Sequence, residues 1–206
     1  MNTSSVATTD ITAVILAGGR GRRMYGQDKG LMMLQNRPMI EHVLKTIEPQ
    51  VGKMIISANR NQERYQELEF DTEVLSDEPL DGGDEDKYLG PLAGIATALK
   101  HISTPYLLCV PCDTPDLPGD LVQQLWTQMQ QKESDVTVVR DDDRMHPTIC
   151  LMKREVLPGI EKYLARGERK MEFWVRDLRF SEADFSKQTG SLTNINTPFD
   201  KEQHSY

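Results

Sequence analysis

The sequence predicts an α/β fold with a mostly parallel central sheet. Three observations predict it. Short apolar runs of strand length alternate with segments whose apolar residues recur at helical spacing. The first run, Ile11 to Leu16, suits a strand covered on both faces. Glycine- and proline-rich stretches punctuate the alternation.

Taken in order, residues 1–10 are expected to form a disordered lead-in, and residues 11–206 a single domain. A strand over 11–16 leads into a loop ending at Lys29. Gln35-Asn36-Arg37 suits a turn. Pro38 suits a helix start, with Ile40, Val43, Leu44 and Ile47 on one face. Met54 to Ala58 is a second strand, after which Asn59-Arg60-Asn61 is expected to cap a short helix through Leu68. Thr72 to Leu75 is a third strand. An acidic loop over 81–87 precedes a helix opened by Pro91. Tyr106 to Val110 is the central strand, and Pro118 is expected to begin the next helix. Val136 to Val139 and Thr148 to Met152 are further strands joined by the turn Asp141-Asp142-Asp143. Helices follow around 155–164 and 168–176, and Thr197-Pro198 suits a last helix start.

Composition narrows the function classes. A formal net charge of −8 argues against a nucleic-acid binder working through bulk electrostatics. Three cysteines, an odd number, do not make a disulfide framework. The Ser/Thr-rich start has no apolar core of a signal peptide, and no apolar run is long enough to span a bilayer. A cytoplasmic protein with no membrane partner is expected.

On this acidic chain one cationic patch stands out. After the first strand, Gly18, Gly19, Gly21 and Gly26 alternate with Arg20, Arg22, Arg23 and Lys29. Glycine lets backbone N–H groups approach a ligand closely, and N–H groups beside cations suit phosphate. The stretch is not a P-loop, because Gln27 and Asp28 stand where Lys and Ser/Thr are required. It is not a dinucleotide fingerprint, because Met24 replaces the third glycine. Arg23 and Lys29 are the strongest cation candidates for stabilising charge on a leaving pyrophosphate.

In open parallel sheets ligands bind beyond the carboxyl ends of the strands. That rule gathers the Gly/Arg loop, Ser57-Ala58-Asn59, Ser76-Asp77 and Pro111-Cys112-Asp113 at one edge. Asp113, at the tip of an apolar strand, suits Mg²⁺, which takes one or two carboxylates and fills its other positions with phosphate and water. A turn or helix-capping role competes, for which Asp116 is better placed. Asp77 suits a ribose hydroxyl or a base N–H, and suits an ordinary loop equally. Gly90-Pro91-Leu92-Ala93-Gly94 presents a helix N-terminus, whose dipole favours anions. Cys109 and Cys112 have Cys-x-x-Cys spacing but fit core cysteines better than a redox or zinc pair. His146 is read as an edge residue. Asn194 and Asn196 would share one face of a strand; a turn is the alternative.

Together these motifs resemble the bacterial molybdenum cofactor guanylyltransferases. The resemblance rests on LAGGRGRRMYGQDKGLM at 16–32, GPLAG at 90–94, CVPCDTPDLP at 109–118, MHPTI at 145–149, GERK at 167–170 and NINTP at 194–198. It implies a three-layer, Rossmann-like nucleotidyltransferase fold. It implies GMP transfer from GTP to the terminal phosphate of molybdopterin, with release of pyrophosphate and Mg²⁺ as cofactor. By position, Leu16, Ala17, Gly18, Lys29, Ser57, Asp77 and Asp113 would bind the nucleotide, with Asp113 also holding the metal. Arg23, Lys29 and Asp113 would be catalytic. Gly19, Gly26, Gly90, Gly94, Asn194 and Asn196 would line the site. Ser57 stands where the family often has Asn. Transient contact with other proteins that make or accept the cofactor is also implied. The alternatives are a sister cytidylyltransferase or sugar-phosphate nucleotidyltransferase, and a non-catalytic pterin carrier.

Overall fold

The computed structural model describes residues 5–19, 27–77 and 90–195. The acidic loop over 81–87 and Thr197-Pro198 lie outside them. Nine strands are described: β1 (Ile11–Leu16), β2 (Met33–Leu34), β3 (Arg37–Pro38), β4 (Lys53–Ser57), β5 (Thr72–Leu75), β6 (Tyr106–Pro111), β7 (Val136–Arg140), β8 (Met145–Lys153) and β9 (Phe180–Asp184). The α-helices are α1 (Met39–Ile47), α2 (Gln62–Gln66), α3 (Pro91–His101), α4 (Leu121–Lys132), α5 (Leu157–Ala165) and α6 (Met171–Arg176). Seven strands form one sheet in the order β5-β4-β1-β6-β8-β7-β9. All neighbours are parallel except those of β8, which runs against both β6 and β7. The expected α/β fold with a mostly parallel sheet is therefore the observed one.

Period-two alternation splits the core in two. Ala13, Ile15, Leu108, Val110, Ile149 and Leu151 face α1 and α4 on one side. Val14, Leu107, Cys109, Cys150 and Met152 face α3, α5 and α6 on the other. Both faces are covered, hence the three layers and the continuous apolar strands. Each fully buried Leu, Ile or Val contributes about 1.5–3 kcal/mol relative to an exposed position. Among the described residues, no helix is long and apolar enough to cross a membrane.

Several local expectations are corrected. Within the described part of the lead-in, Thr8–Asp10 form a 3-10 turn and Val6 packs against the core. Asn61 does not cap α2 through its side chain. It adopts the left-handed region and sends its amide to Asp28 instead. The helix after Pro118 starts three residues later, at Leu121, with Asp120 rather than Asp116 at the N-cap position and no side-chain cap bond. Strand β9 was not expected, because Phe180–Asp184 is short and mixed in polarity. It is held by tertiary contacts: the hydroxyls of Ser134, Thr137 and Ser181 hydrogen-bond one another at 2.8–3.0 Å between β7 and β9.

His146 is no edge residue. The β7–β8 pairing steps from Val138↔Cys150 to Val139↔His146, an irregularity in β8 that contains Pro147. It brings buried His146 Nε2 to 2.6 Å from buried Asp141 Oδ2. Asp141 Oδ1 also accepts from the backbone N–H of Asp143 and Arg144, shaping the turn. Burial works to raise the Asp141 carboxyl. The His146 hydrogen bond and the turn N–H groups outweigh it and hold the group below the usual carboxylate range. Since the folded value lies below the unfolded one, this contribution is complete above about pH 4 and disappears as pH falls through the folded value. Asp141→Asn should therefore cost about 1–3 kcal/mol at pH 7. The gap from wild type should narrow below about pH 4, as read by denaturant titration across pH.

Candidate active site

The site is built from backbone ladders that run past the strand ends. Ala17 N–H donates to Ser57 O, Ala58 N–H to Leu75 O, and Cys112 N–H to Leu16 O. These bonds fix four strand tips, those of β5, β4, β1 and β6, side by side at the carboxyl edge. The polar residues that follow each strand are thereby brought to one rim, as the sheet rule requires.

On the β6 side, Lys29 Nζ lies 2.8 Å from Asp113 Oδ2, although 84 positions separate the two residues in sequence. Lys29 sits in a turn in which Leu31 N–H and Met32 N–H donate to Asp28 O and Lys29 O. That turn is fastened to α1 by Met39 N–H to Met32 O and Ile40 N–H to Gly30 O. The C-terminal segment docks here too. Ile195 N–H donates to Asp113 O at 2.8 Å, and Thr114 Oγ1 donates to Asn194 Oδ1 at 2.9 Å. Asn194 lies in neither a strand nor a turn, and the Thr114 hydroxyl and the Ile195–Asp113 backbone bond hold it at the site.

On the β4 side, Asp77 Oδ1 accepts from Ser57 Oγ at 3.1 Å and Asp77 Oδ2 from Asn59 Nδ2 at 2.8 Å. Asn59 Oδ1 accepts from the Asp77 backbone N–H, closing a two-way clamp. Each carboxylate oxygen keeps a further lone pair for a ligand donor. Gly94, in the first turns of α3, lies against this cluster. A Cβ there would run into Ser57 Oγ and stand 3.2 Å from both Asp77 Oδ1 and Leu16 Cδ2. Gly90, at the N-cap of α3, has φ +77°, a left-handed backbone that glycine adopts without strain, and lies beside the Arg169 carbonyl. Gly18 faces the Asn59 amide, whereas Gly19 faces open space.

Of the residues expected at the site, Leu16, Ala17, Gly18, Gly19, Lys29, Ser57, Asp77, Gly90, Gly94, Asp113 and Asn194 lie on this edge. Arg23, Gly26 and Asn196 lie outside the described residues, as do Arg20 and Arg22. Thr114 was missed, and Asn59 was gathered at this edge without a role of its own. Asn59 had a signal, since it alternates with Ser57 and so faces the same side. The Cys-x-x-Cys pair divides: Cys109 packs in one core and Cys112 in the other, on opposite faces of the sheet. Burial pushes both thiols up, with Cys150 beside Cys109 and Asp113 beside Cys112 adding to it, so neither supplies a thiolate.

Among the described residues, no three His, Cys, Asp or Glu gather into a metal cage. A lone, largely buried carboxylate fits a hard cation that arrives with phosphate ligands of its own.

The chain matches the MobA-like NTP transferase domain over residues 13–183. The molybdenum cofactor guanylyltransferase of Shewanella sediminis is 47% identical over 195 residues, covering 95% of each chain. That of Shewanella halifaxensis is 44% identical over 196 residues, covering 95% of this chain and 94% of its own. The crystal structure of molybdopterin-guanine dinucleotide biosynthesis protein A from Archaeoglobus fulgidus superposes with a TM-score of 0.74 at 25% identity, over 95% of this chain and 96% of that one. The 4-diphosphocytidyl-2C-methyl-D-erythritol synthase of Anaerococcus prevotii shares the fold, with a TM-score of 0.70 at 14% identity over 97% of this chain and 98% of that one. A sheet edge lined by separate strand tips, and relatives of this closeness and coverage, lead to one conclusion: the chain belongs to the MobA-like NTP transferase family, with the molybdenum cofactor guanylyltransferases, and is a nucleotidyltransferase.

Proposed function

We propose that the protein transfers GMP from GTP to the terminal phosphate of molybdopterin and releases pyrophosphate. The observation that carries this reading is the Lys29–Asp113 pair at 2.8 Å, which joins the end of the Gly/Arg loop to the tip of β6. A phosphate cation and a metal-binding acid stand together where a triphosphate would lie, with Asp77 across the edge for the nucleoside.

In this reading a phosphate oxygen of molybdopterin attacks the α-phosphorus of GTP. The new P–O bond forms as the bond to the bridging oxygen breaks, and pyrophosphate carries the negative charge away. The chain itself performs no covalent step; it positions reactants and neutralises charge. Lys29 holds its ammonium beside the phosphates and stabilises charge growing on the leaving group. Asp77, oriented by Ser57 and Asn59, accepts from the nucleoside. The N-terminus of α3, opened by Gly90, favours anionic groups. Asp113 would hold Mg²⁺, which supplies charge neutralisation on the phosphates when bound. Lys29, paired with Asp113 Oδ2 at 2.8 Å, would share that carboxylate's charge with the cation. Arg23, Gly26 and Asn196 are proposed to line the same site. The soluble cofactor-making and cofactor-accepting proteins of the cell are proposed as transient partners, and the cytoplasm as the location.

The deciding experiment offers each of the four nucleoside triphosphates with molybdopterin and measures pyrophosphate. GTP alone should support rapid release. Preference for CTP would move the protein to a sister activity, and GTP binding without release would make it a carrier. Asp113→Asn and Lys29→Ala should each lower turnover about 10²–10³-fold with an unchanged melting midpoint; near-wild-type rates in either would remove that residue from the mechanism. Gly94→Ala should cost about 1–3 kcal/mol of stability through overpacking and raise the GTP KM, because its methyl displaces Ser57 and Asp77.

A further inference from the structure

The segment after β4 makes contacts that the guanylyl-transfer reading leaves unused. One nitrogen of Arg60, Nη2, donates to Gly19 O at 3.1 Å and to Gln27 O at 3.0 Å. These two carbonyls flank the Gly/Arg stretch on either side. The same guanidinium pairs with Asp28 through Nε at 3.6 Å. Asp28 is itself buried, and it is anchored from the same segment. Tyr65 Oη donates to Asp28 Oδ1 at 2.5 Å, and Asn61 Nδ2 donates to Asp28 Oδ2 at 3.0 Å. Burial, reinforced by Cys112 and Asp28 nearby, pushes the Tyr65 hydroxyl well up, so it stays a proton donor to the carboxylate.

Neighbouring residues make this arrangement consequential. Gly19 follows Gly18, which faces the Asn59 amide of the nucleoside cluster. Asp28 precedes Lys29, whose ammonium reaches Asp113. A planar guanidinium with paired donors can hold two carbonyls and a carboxylate at once, a task a single ammonium performs poorly.

We infer that Arg60 is a positioning residue for nucleotide binding: it ties Gly19 to Gln27 and, with Asn61 and Tyr65 gripping Asp28, sets Lys29 where it can meet the phosphates. It touches neither substrate nor reacting atoms; it acts through Lys29 and through the backbone at Gly19. The inference rests on the guanylyl-transfer reading for the identity of the nucleotide, and on the hydrogen-bond geometry for the role.

Direct binding of Mg²⁺–GTP and of GMP to the full chain, without molybdopterin, tests it. Arg60→Ala should weaken GTP about tenfold to a hundredfold, the scale of losing hydrogen bonds made by a charged donor. GMP, which lacks the outer phosphates, should lose less. Arg60→Lys should recover part of the loss, and free guanidinium added to R60A should restore GTP affinity. Unchanged GTP affinity in R60A overturns the inference. So does an equal loss for GTP and GMP that follows a lowered melting midpoint, which marks a merely structural residue. Failure of the guanylyl-transfer reading is seen elsewhere, in wild-type protein that releases no pyrophosphate from GTP. Failure of this inference is seen only in the comparison of R60A with wild type.

Discussion

The ion pair between Lys29 and Asp113 is the constraint on which the rest of the architecture converges. Lys29 belongs to a turn ahead of α1 and Asp113 to the tip of the central strand, so the pair closes a loop of 84 positions. Both groups are only partly exposed, at 22% and 13% of their side-chain surface. The lysine gives the shielded carboxylate a cationic partner. Such a pair adds little to stability where water still reaches it. Its consequence is placement: a cation and a carboxylate from distant parts of the chain stand together at the carboxyl edge of the sheet.

Backbone geometry makes that placement possible. Three parallel ladders continue one residue beyond their strands, at Ala17, Ala58 and Cys112. The polar residues after the strands therefore begin from fixed points. Asp77 shows the result. It lies two residues beyond β5, and two side chains and its own backbone N–H lock it to the end of β4 and the residues that follow. The close approach of Gly94 to Ser57 and Asp77 brings the α3 N-terminus onto the same rim.

The short stretch from Ser57 to Tyr65 unifies the two halves of the site. Ser57 and Asn59 orient Asp77, while Arg60, Asn61 and Tyr65 hold Gly19, Gln27 and Asp28. One strand end and one turn of helix thus hold both the Asp77 side and the Lys29 side of the edge. The opposite end of the sheet is organised differently. There the Asp141–His146 pair and the hydroxyl triangle of Ser134, Thr137 and Ser181 satisfy buried polar groups while the sheet is extended to β9.

What the sequence determined by itself was whatever local pattern encodes. The apolar runs marked β1, β4 and β6 almost to the residue, because strands buried on both faces admit few polar side chains. Their order relative to the helices then placed Lys29, Asp77 and Asp113 on one edge, because parallel sheets put all their carboxyl ends together. Tertiary structure decided what depends on partners distant along the chain. β9 is a strand only because β7 offers it a ladder and a hydroxyl network. Asn61 left its expected capping role because Asp28, buried 33 positions away, needed a donor. His146 became half of a buried pair because a bulge in β8 turned it toward Asp141. In each case a buried polar group had to find its complement, and that demand arises only once the chain has packed.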